Sequence, residues 1–257
     1  GKAMAIAMVG TPLALSLGVP AGAVLGDVIG WRACFGIMSL LALFLMLWVR
    51  CKVPDFAGQK AEKRVPLMQV FMLNGVRSVL CAVLGFVLAH NVLYTYITPL
   101  MGSLGLEGDV GLALLIFGIS ALCGIWVIGV LIDRYLRLLT LSSTVLFGLA
   151  VLLLGCAGEN SVLVYIAIAT WGIAFGGAAT LFQTAMAQAA GSAADVAQSM
   201  LVTIWNIAIA GGGVLGGMLL TSFGVNAFSP VLIVLLLSAF AVVWLSKKTG
   251  FPASEKH

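Results

Sequence analysis

Leu17-Gly18-Val19-Pro20-Ala21-Gly22-Ala23-Val24-Leu25-Gly26, running on to Gly30-Trp31-Arg32, sets a proline and four-residue-spaced glycines inside an apolar run. Pro20 has no N–H to give the carbonyl of Ser16, so a kink or a frayed turn is predicted there. Gly18, Gly22 and Gly26 fall on one face of a helix, where a neighbouring backbone can approach closely. In water such a stretch would end a helix. In hydrocarbon it predicts a kinked, close-packed transmembrane helix, suited to a protein whose bundles move against each other.

Composition supports hydrocarbon as the solvent. Of the 257 residues, 62% are hydrophobic and 9% charged, with a mean hydropathy of +1.17; a soluble domain carries about a quarter charged residues. Runs at 3–26, 33–49, 78–106, 110–132, 138–158, 160–194 and 196–246 can each supply the roughly 20 residues that cross a bilayer. The last run is too long for one crossing, and Ser222-Phe223-Gly224-Val225-Asn226 followed by Pro230 divides it with turn chemistry. The 160–194 run ends in an interfacial Gly191-Ser192-Ala193-Ala194 segment. The expectation is an all-α bundle of eight transmembrane helices with both termini on one side.

Charge bias identifies that side. Alternating the loops places every Lys and Arg except Arg32 on one face, which the positive-inside rule makes cytoplasmic. The net charge of +4 thus follows topology and is no nucleic-acid footprint. Trp31, Trp48 and Trp244 fall near predicted helix ends as interfacial anchors; Trp126, Trp171 and Trp205 lie deeper and read as packing or cavity residues. Cys34, Cys51, Cys81, Cys123 and Cys156 are scattered singly, without CxxC spacing, so neither a disulfide framework nor a metal site is indicated. The longest polar segment, Pro54 to Arg77, carries Asp55, Lys60, Glu62, Lys63 and Arg64 and separates two helices from six. Its second part, Val65 to Gly75, reads equally as an interfacial helix or as a plain loop.

Shifting the chain by 194 residues lays Gly18, Gly22 and Gly30 on Gly212, Gly216 and Gly224, and Ala33 on Ala227. Helices one and two then correspond to helices seven and eight. A repeat unit of six helices gives twelve spans in a complete protein, of which this chain lacks the first four. The start at Gly1, without an initiator methionine or a signal peptide, agrees with that expectation.

The residues also carry a family resemblance. Gly1-Lys2-Ala3-Met4-Ala5-Ile6, Gly10, Leu17 to Gly22, Leu25-Gly26 and Gly30-Trp31-Arg32 resemble the Gly/Pro-rich fifth helix of the major facilitator superfamily, in its proton-coupled drug antiporter branch with arabinose-efflux-like and purine-efflux-like members. Tyr94-Thr95-Tyr96-Ile97-Thr98-Pro99 resembles the segment closing the seventh family helix. Gly129 to Arg137, GVLIDRYLR, resembles the GxLxDRxxR loop between the eighth and ninth. The resemblance covers the whole chain and implies family helices five to twelve. Residues 1–53 would be the last two helices of the N-terminal six-helix bundle, 54–77 the cytoplasmic central loop and 78–257 the C-terminal six-helix bundle. Two departures stand out: Ala21-Gly22-Ala23 lacks the paired glycines of the fullest antiporter signature, and the first four family helices are absent.

Two residue groups follow as candidates. The first is a conformational motif: Gly18, Pro20, Gly22 and Gly26 as a hinge, with Gly129, Asp133, Arg134 and Arg137 at a cytoplasmic helix end. Flanked by two arginines, Asp133 can pair with arginine and accept from a helix N-terminus, latching one conformation; a cluster that merely orients the helix is the competing reading. The second group lines a substrate path: His90, Asn91, Tyr94 and Thr98 on the third helix, Gln183 on the sixth, and Thr203 and Asn206 on the seventh. Polar groups in hydrocarbon seek one another or water. Interhelical hydrogen bonding that only holds the bundle together competes with the substrate reading. His90, the one histidine inside a span, can exchange protons near neutral pH, yet a lone histidine more often packs by hydrogen bonding. In the family resemblance the coupling carboxylates commonly lie in the first four helices.

No phosphate-binding loop, HExxH or nucleophile elbow occurs, and His90 and His257 do not suggest a shared metal site. The reading is therefore no enzyme and no cofactor. The chain is expected to be the fragment of a secondary active transporter in the bacterial inner membrane, exporting a drug, sugar or nucleoside by proton antiport with alternating access. Its partners would be the substrate, protons, the lipid bilayer and the four missing helices. The alternative is a non-transporting membrane fragment that binds another helix bundle.

Overall fold

The computed structural model describes residues 18, 22, 25–26, 28–54, 66–158 and 160–251. The chain divides into two compact units, Gly1–Arg64 and Val65–His257. Five helical stretches among the described residues are, by length and composition, long and apolar enough to cross a membrane: Trp31–Lys52, Asn74–Thr95, Glu107–Cys156, Ser161–Phe223 and Val225–Leu245. The chain is a multi-pass, all-helical membrane protein.

The described part of the first unit centres on α1 (Trp31–Lys52), which starts after Gly30 at φ 82° and carries Arg50 and Lys52 in its last turn. None of its residues is buried. Lipid makes such a helix tenable, because a bilayer is as apolar as leucine. Gly18, Gly22 and Gly26 are described, and a Cβ added to any of them meets nothing within 4 Å. The close neighbour expected on that glycine face is thus not found among the described residues. Pro20 lies outside them.

The second unit opens with α2 (Leu67–Phe71) and α3 (Asn74–Thr95), so the first long helix after the polar segment starts at residue 74, earlier than expected. The chain breaks its helical geometry at Tyr96 (φ −108°, ψ 26°) and resumes as α4 (Ile97–Ser103). Pro99 sits in the first turn of α4, where its missing N–H leaves no helical bond unmade.

Next comes α5 (Val110–Cys156), whose one non-helical residue is Tyr135 (φ −131°, ψ 27°). Phe117 and Phe147, about 45 Å apart along a straight helix, lie with ring centroids 4.4 Å and 6.2 Å from the same ring, Trp171. The helix must therefore fold back at Tyr135 into two antiparallel legs. A loop was expected at 133–137; the reversal instead needs only one residue out of helical geometry.

The chain continues as α6 (Ser161–Gly176), α7 (Ala178–Ala190) and α8 (Ala194–Phe223). Between α6 and α7 the path bends at Gly177 (φ −94°, ψ 8°). A 3-10 turn over Gly191–Ala193 reverses it, and Gln198 Nε2 donates to the Gln183 carbonyl at 2.8 Å across the reversal. The last run divides at Gly224 (φ 75°), and after a 3-10 turn α9 (Phe228–Leu245) begins. Pro230 stands in its first turn. Among these elements α5 packs most heavily on α6, and α3 on α8 and α9.

The core of the unit is aromatic. Phe86 of α3 meets Phe147 of α5 and Phe182 of α7 at 5.5 Å and 5.6 Å, both edge to face. Trp171 is fully buried, whereas Trp126, expected in the interior, is 70% exposed. Hydrophobicity cannot rank inside against outside when the solvent itself is apolar.

Candidate functional site

His90 and Tyr94 are one turn apart on α3 and point to the same side, as do Trp171 and Phe175 on α6. Packing α3 against α6 and the first leg of α5 brings these four together with Phe117. Trp171 Nε1 donates to His90 Nδ1 at 3.2 Å. The imidazole lies flat on Phe175, with centroids 3.3 Å apart and planes at 5°, and stacks on Tyr94 at 5.4 Å. His90 is 7% exposed. Because Nδ1 accepts, the ring proton sits on Nε2 and the imidazole is uncharged. Protonating Nδ1 would break the tryptophan bond, so this arrangement holds a neutral ring in place.

None of the remaining polar candidates hydrogen-bonds to His90, whose partner is Trp171. Asn91 Nδ2 donates to the Val87 carbonyl at 2.9 Å. Thr98 is exposed beyond the break at Tyr96, which takes it off the His90–Tyr94 stripe. Gln183 is half-buried. Thr203 and Asn206 are exposed on α8 and donate to the carbonyls of Ser199 at 2.9 Å and Val202 at 2.8 Å. Each of these three hydrogen-bonding side chains thus pairs with its own helix, four residues back, and leaves further polar capacity free. Among the described residues no buried side-chain nitrogen or oxygen lacks a partner. The aromatic partners Phe117, Phe147 and Phe175 escaped the sequence reading; the one-turn spacing of Trp171 and Phe175 was the available signal.

The Asp133 cluster lies at the fold of α5. Arg137 does not spend its guanidinium on Asp133. Its Nη1 and Nη2 donate to the carbonyls of Val243 and Trp244 at 2.7 Å and 2.8 Å, and its Cζ lies 5.7 Å from the centre of the Trp244 ring. These carbonyls close the C-terminus of α9, where helical partners run out and the dipole is negative. Asp133 is exposed, and Arg134 lies 5.6 Å from the Tyr135 ring. The expected pairing yields to capping because the reversal at Tyr135 turns Arg137 toward α9.

Among the described residues, close backbone approach occurs at glycines other than Gly18, Gly22 and Gly26. Gly172 and Gly176 let α6 settle on the first leg of α5: an added Cβ would strike the Phe117 carbonyl from the first, and the main chain of Ala121 from the second. Gly212 and Gly216 seat α8 on Asn91 and on the ring of Tyr96, whose hydroxyl donates to the Gly213 carbonyl at 2.7 Å. A Cβ at Gly129 would meet nothing within 4 Å. Among the described residues no group of three or more His, Cys, Asp or Glu could hold a metal ion.

Comparison with known proteins adds a family. The model of the Major Facilitator Superfamily matches residues 1–212. A probable sugar efflux transporter of Mannheimia succiniciproducens is 28% identical over 253 residues, covering 95% of this chain and 61% of that protein. The purine ribonucleoside efflux pump NepI of Salmonella paratyphi B is 26% identical over 246 residues, covering 94% of this chain and 62% of the pump. This chain spans about three fifths of the length of the curated relatives it matches.

Proposed function

Because the chain belongs to the major facilitator superfamily, we propose that it forms part of a bacterial inner-membrane secondary transporter exporting a small polar solute, a sugar or a nucleoside, in exchange for protons by alternating access. The observation that carries this reading is the family match, together with the efflux named in both relatives.

In this reading the chain supplies the last eight of twelve helices. The run 3–26 is the first of them, the folded legs of α5 count as two, and α6 with α7 forms one crossing. Residues 1–53 end the N-terminal bundle, 54–77 form the central connection, with α2 and the first turn of α3 at its end, and 78–257 make the C-terminal bundle. The repeat gains support from backbone geometry: Gly30 and Gly224, its equivalent positions, both adopt positive φ, 82° and 75°, beside a helix end. Both chain ends lie in the cytoplasm, as the Lys and Arg bias requires.

Roles divide by burial. The sealed, neutral His90 holds α3 to α6. Tyr94, Gln183, Thr203 and Asn206 are half-buried or exposed, retain unused hydrogen-bonding capacity and are the residues open to a solute; Asn91 and Thr98 flank them. Gly18, Pro20, Gly22 and Gly26 make a hinge, and Gly129, Asp133, Arg134 and Arg137 bias the cytoplasmic closure.

The test uses this chain with the four preceding helices in everted membrane vesicles whose lumen is acidified and followed by a pH-sensitive dye. Addition of a nucleoside or a sugar is expected to discharge the gradient, and less so in Asn206→Leu. Membrane-inserted protein that discharges nothing with sugars or nucleosides would overturn the reading.

A further inference from the structure

Four rings from three helices stand in a row. Tyr94 and His90 of α3, Phe175 of α6 and Trp205 of α8 follow one another at centroid separations of 5.4, 3.3 and 6.3 Å. Trp171 closes the row at His90 Nδ1, but the opposite edge of the imidazole is left over. Nε2 carries the ring proton and donates to nothing among the described residues. No buried side-chain nitrogen or oxygen there lacks a partner, so this N–H belongs to the 7% of His90 that is exposed. The Tyr94 hydroxyl and Trp205 Nε1 are likewise unpaired among the described residues, on half-buried side chains.

These donors differ from the other polar groups of the spans. Asn91, Thr203 and Asn206 bond to carbonyls of their own helices, whereas the aromatic donors find no such partner. An unpaired donor inside a span is costly against lipid and tolerable where a cavity admits water or a solute. Trp205 meets no ring but Phe175 among the described residues, which leaves the rest of its surface uncovered. The apolar runs that carry the row, 78–106, 160–194 and 196–246, contain no Lys or Arg.

We infer that this row binds a flat, uncharged heterocycle, the base of a nucleoside, and selects it against a sugar. The base stacks on Trp205, and its edge accepts from His90 Nε2 and from the Tyr94 hydroxyl. Stacking on an aromatic side chain suits every base, because each has a π face. An imidazole N–H and an indole N–H can only donate, so they match ring nitrogens and carbonyl oxygens, whereas sugar hydroxyls also need acceptors for their protons. Without a nearby cation the site offers nothing to a phosphate. The inference rests on the transport reading and narrows its solute from two classes to one, with His90 and Trp205 as specificity-determining residues.

Equilibrium dialysis of labelled adenosine against the detergent-purified chain with its four preceding helices tests it. Adenosine is expected to bind, free adenine to compete with it, and ribose or glucose in large excess not to compete. Trp205→Leu removes the platform and is expected to weaken binding about ten-fold; Trp205→Phe keeps a stacking ring and should weaken it less. His90→Asn sets an amide oxygen where Nδ1 stood, so Trp171 keeps an acceptor while the Nε2 edge is lost. About five-fold weaker binding is expected there. Trp244→Leu, at the end of α9, is expected to leave affinity unchanged. Competition by ribose, unchanged affinity in Trp205→Leu and His90→Asn, or an equal loss in Trp244→Leu would each overturn the inference. Vesicles separate the two readings: discharge by sugars with none by nucleosides sinks this inference and leaves transport standing, whereas no discharge by either removes the transport reading itself.

Discussion

At the scale of the residue, the bond from Trp171 to His90 decides how the buried histidine behaves. The sequence offered His90 as a group able to exchange protons, and the geometry makes it an acceptor wedged between aromatic rings. Trp171→Phe keeps most of the ring and deletes only the donor. It is expected to leave Nδ1 unpaired at a cost of about 1–3 kcal/mol, read as a lower unfolding temperature in detergent. The double change with His90→Leu should cost less than the sum of the single changes, because the two side chains act as one unit. An additive cycle would show that the bond contributes nothing. Arg137 teaches a related lesson: Asp133 and Arg137 stand one helical turn apart in sequence, yet the arginine takes main-chain carbonyls more than a hundred residues away. Local spacing shows which partners are reachable, and the fold chooses among them.

At the scale of the element, apolar runs and turn residues placed most helices well. Gly224 divides the last run where its turn chemistry indicated, since a left-handed φ suits glycine. The two spans predicted on either side of 133–137 are present, but a single residue, Tyr135, makes the reversal, because a charged stretch looks the same whether it leaves the helix or bends it at one residue. Glycine function was the least legible. Gly18, Gly22 and Gly176 share small size and helical context, but only Gly176 is packed against a main chain among the described residues. Gly176→Ala is expected to push α6 off α5 and to destabilise the protein by about 1–3 kcal/mol. Gly148→Ala, whose Cβ meets nothing within 4 Å, should be neutral or slightly stabilising by helix propensity. Equal unfolding temperatures for the two variants would remove close packing as the reason for glycine at 176.

At the scale of the whole molecule, orientation is the property most open to direct measurement. Cys51 follows Arg50 at the end of α1, and Cys156 ends the second leg of α5, about 30 Å from Arg137 along the helix; both thiols are exposed. In single-cysteine variants, a membrane-impermeant maleimide is expected to label Cys156 in spheroplasts and Cys51 only after permeabilisation. The reverse pattern would invert the topology drawn from the Lys and Arg bias. The sequence by itself determined the solvent, the helical class and the approximate span limits, because each crossing must satisfy its own backbone bonds and bury about 20 apolar residues in lipid. Only the tertiary structure decided which apolar residues face the core, why His90 is neutral, where Arg137 spends its charge and which glycines touch. The physical reason is that lipid and protein interior are equally apolar, so hydropathy carries no inside-outside signal, and packing and hydrogen-bond geometry alone distinguish the faces.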